Sequence, residues 1–165
     1  MIKVTVTGLD KLAGTFDDIA ARLRQEMKVA NKEVGQYLED ATKKTFDIGG
    51  PDWAPLSRYT IERKGHSKKL VDTGGLRNGI KHKVNQTEIS GEVFPAGPGY
   101  PRIHSQFLAL VHETRGTTVV TNGFGRGIEI RIPGRPFFFN TARRESRKVA
   151  GIYLKGVRRA LGLGI

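Results

Sequence analysis

The sequence predicts an α+β fold, in which a long N-terminal helix and a basic C-terminal helix pack on a small, mostly antiparallel sheet. The first observation is that apolar residues over 12–41 recur at intervals of three and four, as on one face of a helix. The second is the alternation of apolar and polar residues typical of half-buried strands, found over 80–84, 89–93 and 128–132. A chain of 165 residues can bury one core, so we expect a single domain spanning residues 1–165.

The N-terminal helix is predicted to be longer than a small domain needs. Residues 2–7 alternate as a short strand, and Gly8 ends that pattern. Thr15 and Asp18 have the spacing of a capping pair, so we expect the helix to begin near Thr15 and to end near Phe46. About 30 helical residues would be ~45 Å long. A helix lying across its own sheet accounts for most of the apolar face, but the length suggests that part of it packs on something else.

Residues 47–80 are predicted to form an extended segment between this helix and the strands. The segment contains the only tryptophan, Trp53, and is rich in lysine and arginine. Long segments without regular structure are usually functional or disordered, and anchoring apolar residues such as Leu56 and Leu76 argue against disorder. We expect Asp72-Thr73-Gly74 to shape a turn or to cap the segment that follows it.

The rest of the chain is predicted to contain a hairpin, an arm and a last helix. The hairpin should turn near Asn85, and the apolar run 107–113 favours a largely buried strand. Residues 114–127 are rich in glycine and are expected to form a projecting hairpin arm. Asn140 or its neighbour can cap a final helix that runs to about Leu161.

The net charge is +12, and it is unevenly distributed. Residues 1–50 carry eight basic and eight acidic side chains, whereas residues 51–165 carry twenty basic and eight acidic ones. The excess of positive charge in residues 51–165 attracts polyanions or acidic protein surfaces, and this attraction weakens as the salt concentration rises. A solvated basic surface that keeps the protein in solution is the alternative interpretation.

No catalytic or metal-binding constellation is recognisable. The chain has no cysteine, which excludes disulfides and thiolate zinc sites. The four histidines lack the spacing of metal ligands: His66, His82, His104 and His112. We therefore predict no enzyme activity, no metal and no cofactor, with a hydrolase using Asp72 and His66 as a weaker alternative. No apolar signal core or membrane-length run is present, so we expect no membrane contact and a cytosol-like setting.

Two motifs, in order, resemble a known family. The first begins with Pro51-Asp52-Trp53-Ala54-Pro55-Leu56, continues through Arg63-Lys64 and ends with the sequence LVDTGGLRNGI over residues 70–80. The second is Ile132-Pro133-Gly134-Arg135-Pro136-Phe137, directly before the last helix. Both are similar to motifs of the phage virion morphogenesis (tail completion) proteins of Mu-like and related tailed phages. The resemblance covers most of the chain.

The resemblance implies a structural role in the virion. Such proteins finish the tail or join it to the head as a homo-oligomeric ring in the neck, for which a hexamer is one candidate. Implied partners are the tail tube or terminator proteins, the head connector proteins and, non-specifically, the packaged DNA. Assembly would take place in the host cytoplasm. The positions predicted to contact neighbouring subunits or partners are Trp53, Leu56, Arg63, Lys64, Asp72, Leu76, Arg77, Arg135, Phe137 and Phe138.

The basic C-terminal helix supports a different class of function. A basic amphipathic helix can bind nucleic acid, a membrane surface or an acidic partner. The alternative function is therefore a sequence-independent DNA-binding protein that uses the basic region 51–165. The residues expected to face DNA, in either function, are Arg144, Lys148, Lys155, Arg158 and Arg159.

Overall fold

A computed structural model of the protein describes residues 8–50, 53–85, 87, 90–96, 109–114, 116–121 and 127–163. The elements are, in order, α1 (Leu9–Ile48), α2 (Arg58–Lys64), α3 (Gly75–Asn78), β1 (Ile80–Asn85), β2 (Ser90–Pro95), α4 (residues 109–113), β3 (Gly116–Thr121), β4 (Gly127–Ile132) and α5 (Phe138–Ala160). The long α1 packs against α5 and against the β1–β2 hairpin. The predicted α+β class is thus confirmed. Among the helices of the described residues, none has the length and apolar content needed to cross a membrane.

Helix α1 is longer than the sequence pattern indicated. It has 40 residues, which corresponds to ~60 Å. It follows Gly8, whose φ of 97° is easily adopted only by glycine. The expected start near Thr15 is wrong, because the Thr15 hydroxyl donates to the Lys11 carbonyl inside the helix instead of capping it. The helix ends two residues beyond the predicted Phe46, at Ile48 before Gly49.

Helices α1 and α5 run antiparallel. The Oγ1 atoms of Thr45 and Thr141 lie 2.9 Å apart near the start of α5. Near the other end of α5, Arg159 Nε donates to Glu26 Oε2 at 2.8 Å. Gly156 allows a close approach there, since a Cβ on it would lie 2.9 Å from Met27 Cε. Because α5 ends beside this part of α1, the first four turns or so of α1 extend beyond it.

The strands form two separate antiparallel hairpins. β1 and β2 form the predicted hairpin, and their observed register runs from Ile80↔Pro95 to Asn85↔Ser90. β3 pairs with β4 in a second two-stranded sheet. The first hairpin is held against α1 by Glu39, whose carboxylate accepts from the backbone N–H of His82 at 3.0 Å. Gly35 provides the space, because a Cβ on it would lie 2.8 Å from the His82 ring.

Several predictions on the connecting segments need correction. Segment 47–80 is not extended throughout, since it contains α2 and α3. The strand predicted over 107–113 is wrong for its described part, because residues 109–113 are helical. The arm 114–127 includes β3, but its tip at 122–126 lies outside the described residues, as does the predicted strand 2–7.

The core lies where the end of α1 meets the start of α5 and the β1–β2 hairpin. Its buried members are Phe46, Trp53, Ile80, Ala109 and Phe137. The rings of Phe46 and Phe137 are 4.8 Å apart, and the Trp53 ring contacts Phe46 edge-on at 6.3 Å. This aromatic cluster joins three regions that are distant in sequence.

Candidate interaction surfaces

The two sequence motifs meet in the fold. Trp53 Nε1 donates to the carbonyl of Pro136 at 3.2 Å. In return, Arg135 Nε and Nη2 donate to the carbonyl of Ala54 at 3.4 and 3.3 Å. Arg135 is itself 6% exposed, so these bonds satisfy a guanidinium that burial would otherwise leave unpaired. The motifs therefore form one structural unit, although about eighty residues separate them.

Glu113 holds the second motif in place. Its carboxylate accepts from the backbone N–H groups of Phe137 and Phe138 at 2.7 and 2.6 Å, and of Phe139 at 3.3 Å. These are the first N–H groups of α5, which has no side-chain cap of its own. A carboxylate here also interacts favourably with the helix dipole. The sequence analysis missed this role, because it expected Asn140 or Thr141 to cap the last helix. That expectation is wrong, since both residues lie inside α5.

The predicted contact residues are divided between core and surface. Trp53, Arg135 and Phe137 are buried within the chain, so their side chains offer no surface to a second molecule. Leu76 and Phe138 are half-buried and pack on the core. Leu56, Lys64 and Arg77 are also half-buried. Only Arg63 and Asp72 are exposed. The first motif thus acts mainly as an anchor for its own segment.

Arg77 ties that segment to the end of α1. Its Nε and Nη2 donate to the two carboxylate oxygens of Asp47 at 2.8 and 2.7 Å. The hydrogen bond from Arg77 lowers the pKa of Asp47 below its ordinary value. The expected turn before Gly75 is confirmed: Gly74 has a φ of 80°, Thr73 Oγ1 accepts from the Gly75 N–H, and α3 begins there.

The described residues contain no group of His, Cys, Asp and Glu side chains that could hold a metal. His66 Nδ1 is buried without a hydrogen-bond partner, so Asp72 does not orient the ring through that nitrogen. His112 Nδ1 is also buried without a partner, and burial together with nearby Arg135 lowers the pKa of His112 to about 4. In both histidines, therefore, Nδ1 does not form the hydrogen bond to a carboxylate that would orient a general base.

The residues expected to face DNA all have exposed positions on α5, but several are engaged within the chain. Arg144 donates to Glu145 at 2.8 Å and to Thr45 at 3.2 Å. Arg159 is paired with Glu26, and Lys148 lies 3.9 Å from Glu145. The side chains of Lys155 and Arg158 are exposed and form no hydrogen bond or ion pair in the described part of the chain.

An apolar groove opens between α1, β2 and the start of α5. Its volume is about 410 Å³, and its walls include Val34, Leu38, Val93, Phe138 and Phe139. Asn31 also lines it. This side chain is 6% exposed, its Oδ1 accepts from the Tyr153 hydroxyl at 2.5 Å, and its Nδ2 has no partner. Glu92 and Glu113 also line it, so the groove combines largely apolar walls with two carboxylates and one unpaired donor.

A second apolar surface lies on the part of α1 that extends beyond α5. Leu12 and Phe16 are 52% and 62% exposed, and Ile19 and Leu23 continue the same face as half-buried residues. We call these four residues the α1 stripe.

Comparison of the chain with protein-family models, curated proteins and solved structures found no significant match.

Proposed function

We propose that this chain is a structural virion protein of a tailed phage, which completes the tail, joins it to the head, or does both, as a ring in the neck. The observation that carries the proposal is the meeting of the two family-like motifs around Trp53 and Arg135. If both motifs are needed to form the fold of that family, the two motifs should contact each other in the folded chain. Here they do so through part-buried hydrogen bonds between side chains of one motif and backbone carbonyls of the other.

The exposed apolar surfaces also support an assembly role. Helix α1 extends beyond the core and carries exposed Leu12 and Phe16, while Phe139 at the groove is 68% exposed. Exposed apolar patches of this kind mark interaction sites in soluble proteins. An assembly protein needs such surfaces, and a ring needs two different ones that complement each other.

The test is to produce virions without the protein. Electron microscopy of lysates is expected to show separated heads and tails, or unfinished tails, when the gene carries an early stop codon. Supplying the wild-type chain in trans should restore joined particles. As a matched pair, Trp53→Ala should fail to restore them because it removes the anchor of both motifs, whereas Tyr59→Ala, at an exposed position on α2, should succeed. Joined, infectious particles in the complete absence of the chain would refute the proposal.

Sequence-independent DNA binding is a second candidate, favoured by the free basic side chains of Lys155 and Arg158 on α5. Binding through phosphates should weaken steeply with salt, with a slope of log K against log salt of about −0.9 per neutralised phosphate. Replacing both residues by Glu should reduce the affinity for duplex DNA. The matched control is the same charge change at Lys32 and Lys44, which are exposed on α1. Equal effects of the two double variants would indicate net charge alone, and no binding at low salt would remove this function.

A further inference from the structure

We propose that a basic cluster around Arg135 binds a phosphate group, supplied by a free phosphate ion or by the phosphorylated end of a nucleic acid. The cluster consists of four side chains: Lys64, Lys69, His112 and Arg135. They come from α2, the segment after it, α4 and the β4–α5 junction. None of them lies on the basic helix α5, and the inference goes beyond the proposed function without depending on it.

Arg135 is a buried cation without a carboxylate partner in the described part of the chain. Its side chain is 6% exposed, and Nε and Nη2 donate only to the carbonyl of Ala54, at 3.4 and 3.3 Å. A carbonyl accepts hydrogen bonds but does not neutralise a charge, and a buried charge that is not neutralised is costly. Burial accordingly lowers the pKa of Arg135. An anion bound beside the guanidinium would offset this cost.

Lys69 brings a second cation to the same part of the first motif. Its Nζ donates to the carbonyl of Trp53 at 2.7 Å, so Lys69 and Arg135 bind consecutive backbone carbonyls. Lys69 is half-buried and, like Arg135, forms no ion pair with a described residue. The backbone of residues 53–54 thus gathers two positive charges.

Lys64 adds a third positive charge. It is half-buried, and its Nζ donates to the backbone carbonyl of Lys68 at 2.9 Å, which leaves two N–H groups for a ligand. Burial lowers the pKa of Lys64, while the exposed carboxylate of Asp72 opposes this shift. Repulsion from Arg135 and Arg63 lowers the pKa further. Because Lys64 and Arg135 are close enough to repel each other, one anion can interact with both.

His112 completes the cluster. Its backbone carbonyl accepts from the Arg135 N–H at 2.8 Å, and its ring Nδ1 is buried without a partner. Burial and repulsion from Arg135 lower the pKa of His112 to about 4, so the ring is neutral at pH 7 and keeps one N–H donor. The adjacent Glu113 already accepts from the first N–H groups of α5.

Arg135 Nη1 gives the cluster its access to solvent. It forms no hydrogen bond with a described residue, and it is not among the fully buried polar atoms that lack a partner. The rest of the side chain is covered, so the opening is narrow. It suits a free ion or a chain end better than the continuous backbone of duplex DNA. Several positive charges match a phosphate dianion, with which arginine forms strong hydrogen bonds.

Isothermal titration calorimetry of the purified chain with inorganic phosphate tests the site. At pH 7 and constant ionic strength, the wild-type chain is expected to bind phosphate saturably at one site. Lys64→Gln should weaken binding by about tenfold or more, because it removes a charged donor, whereas Lys64→Arg should retain binding. Lys44→Gln is the matched control, since it removes the same charge at an exposed position on α1. Absence of saturable binding, or equal weakening by the two glutamine variants, would overturn the proposal.

His112 provides a second readout that needs no variant. An anion beside Arg135 favours the protonated ring, so saturating phosphate should raise the pKa of His112 above about 4 in an NMR titration. The reference is chloride at the same ionic strength. If phosphate and chloride give the same pKa, the anion does not bind at this cluster and the proposal fails.

Short single-stranded DNA distinguishes the two sources of phosphate. If a nucleic-acid end supplies the group, a strand with a terminal phosphate should bind more tightly than the same strand with a terminal hydroxyl, and Lys64→Gln should remove the difference. If a free ion is the source, inorganic phosphate should bind while the two strands bind equally. Both results support a phosphate site. A chain that responds neither to inorganic phosphate nor to the terminal phosphate has no such site.

Discussion

At the scale of single residues, Glu113 has a structural role that its position in the sequence conceals. It follows an apolar run and lies far from α5 in sequence, yet its carboxylate accepts from three consecutive backbone N–H groups at the start of that helix. Arg135 N–H donates to the neighbouring His112 carbonyl at 2.8 Å. Residues 112–113 thereby position the junction between β4 and α5, and with it the partner of Trp53.

Removing this cap should destabilise the whole protein. We expect Glu113→Ala to lower the free energy of unfolding by about 2 kcal/mol, because three N–H groups lose a charged acceptor at a helix N-terminus. Glu113→Gln should cost less, since the amide oxygen still accepts. Urea denaturation monitored by circular dichroism measures both. Glu62→Ala is the control, because Glu62 forms only an exposed pair with Arg58 and should change stability by less than about 0.5 kcal/mol. Equal effects of the two alanine substitutions would contradict the capping role.

His112 should make the fold sensitive to mild acid. Burial and Arg135 lower the pKa of His112 from 6.5 to about 4 in the folded chain, so the unfolded chain binds more protons between these values. Stability is therefore expected to fall as the pH drops from about 6.5 to about 4. Partial exposure keeps the effect below ~3 kcal/mol. His112→Leu should flatten this part of the stability profile, and an NMR titration should give His112 an acid-shifted pKa. A histidine that titrates near 6.5 would refute the prediction.

At the scale of elements, periodic patterns predicted helices and strands well, but tertiary contacts decided the boundaries. The spacing of apolar residues by three and four predicted most of α1, and the alternation of apolar and polar residues predicted the β1–β2 hairpin, although not its register. The run 107–113 was misassigned because a short apolar stretch fits a buried strand and a buried helix equally well. The start of α1 was misplaced because Thr15 bonds within the helix, and no local signal distinguishes that bond from a cap.

The candidate surfaces were less predictable than the elements. The sequence motifs marked Trp53, Arg135 and Phe137 as predicted contact residues. The motifs could not show whether each side chain is buried within its own chain or exposed to a second molecule. That distinction depends on a meeting of segments about eighty residues apart. The groove depends on α1, β2, α4 and α5 at once, so no local pattern could show that Asn31 lines it. The overlong α1, in contrast, was already indicated by the length of its apolar pattern.

The contact between α1 and β1 can be tested with two glycines of the same helix. A Cβ at Gly35 would lie 2.8 to 3.3 Å from three atoms of His82, whose ring is held by Glu39, whereas a Cβ at Gly14 meets nothing within 4 Å. Gly14→Ala should therefore stabilise the helix by about 0.5–1 kcal/mol. Gly35→Ala should destabilise the protein by about 1–3 kcal/mol, because overpacking outweighs the helix gain. Thermal unfolding measures both, and stabilisation by Gly35→Ala would show that the hairpin can move away.

At the scale of the whole molecule, α1 is the element to which the others attach, and carboxylates make several of the attachments. Glu39 binds His82 of β1, and Asp47 binds Arg77 of α3. Glu145 of α5 accepts a short hydrogen bond from the Tyr37 hydroxyl of α1. Hydrogen bonds from Arg144 and Tyr37 lower the pKa of Glu145. Each attachment is therefore strongest when the carboxylate is ionised.

This arrangement predicts a loss of stability in strong acid, with Glu39 as the test case. Burial opposes ionisation of Glu39, but hydrogen bonds from Lys43 and His82 outweigh it and lower the pKa below 4.5. A carboxyl group with a lowered pKa stabilises the fold above its unfolded pKa, and this stabilisation is lost as the pH falls through the folded value. Glu39→Gln should therefore reduce stability by about 1–3 kcal/mol at pH 7 and by less at pH 3, because protonation of Glu39 removes the same interaction from the wild type. Urea denaturation at both pH values measures this, with Asp40→Asn as the exposed neighbouring control. A Glu39→Gln penalty that is equal at pH 7 and pH 3 would mean that the ionised carboxylate does not hold the hairpin to α1.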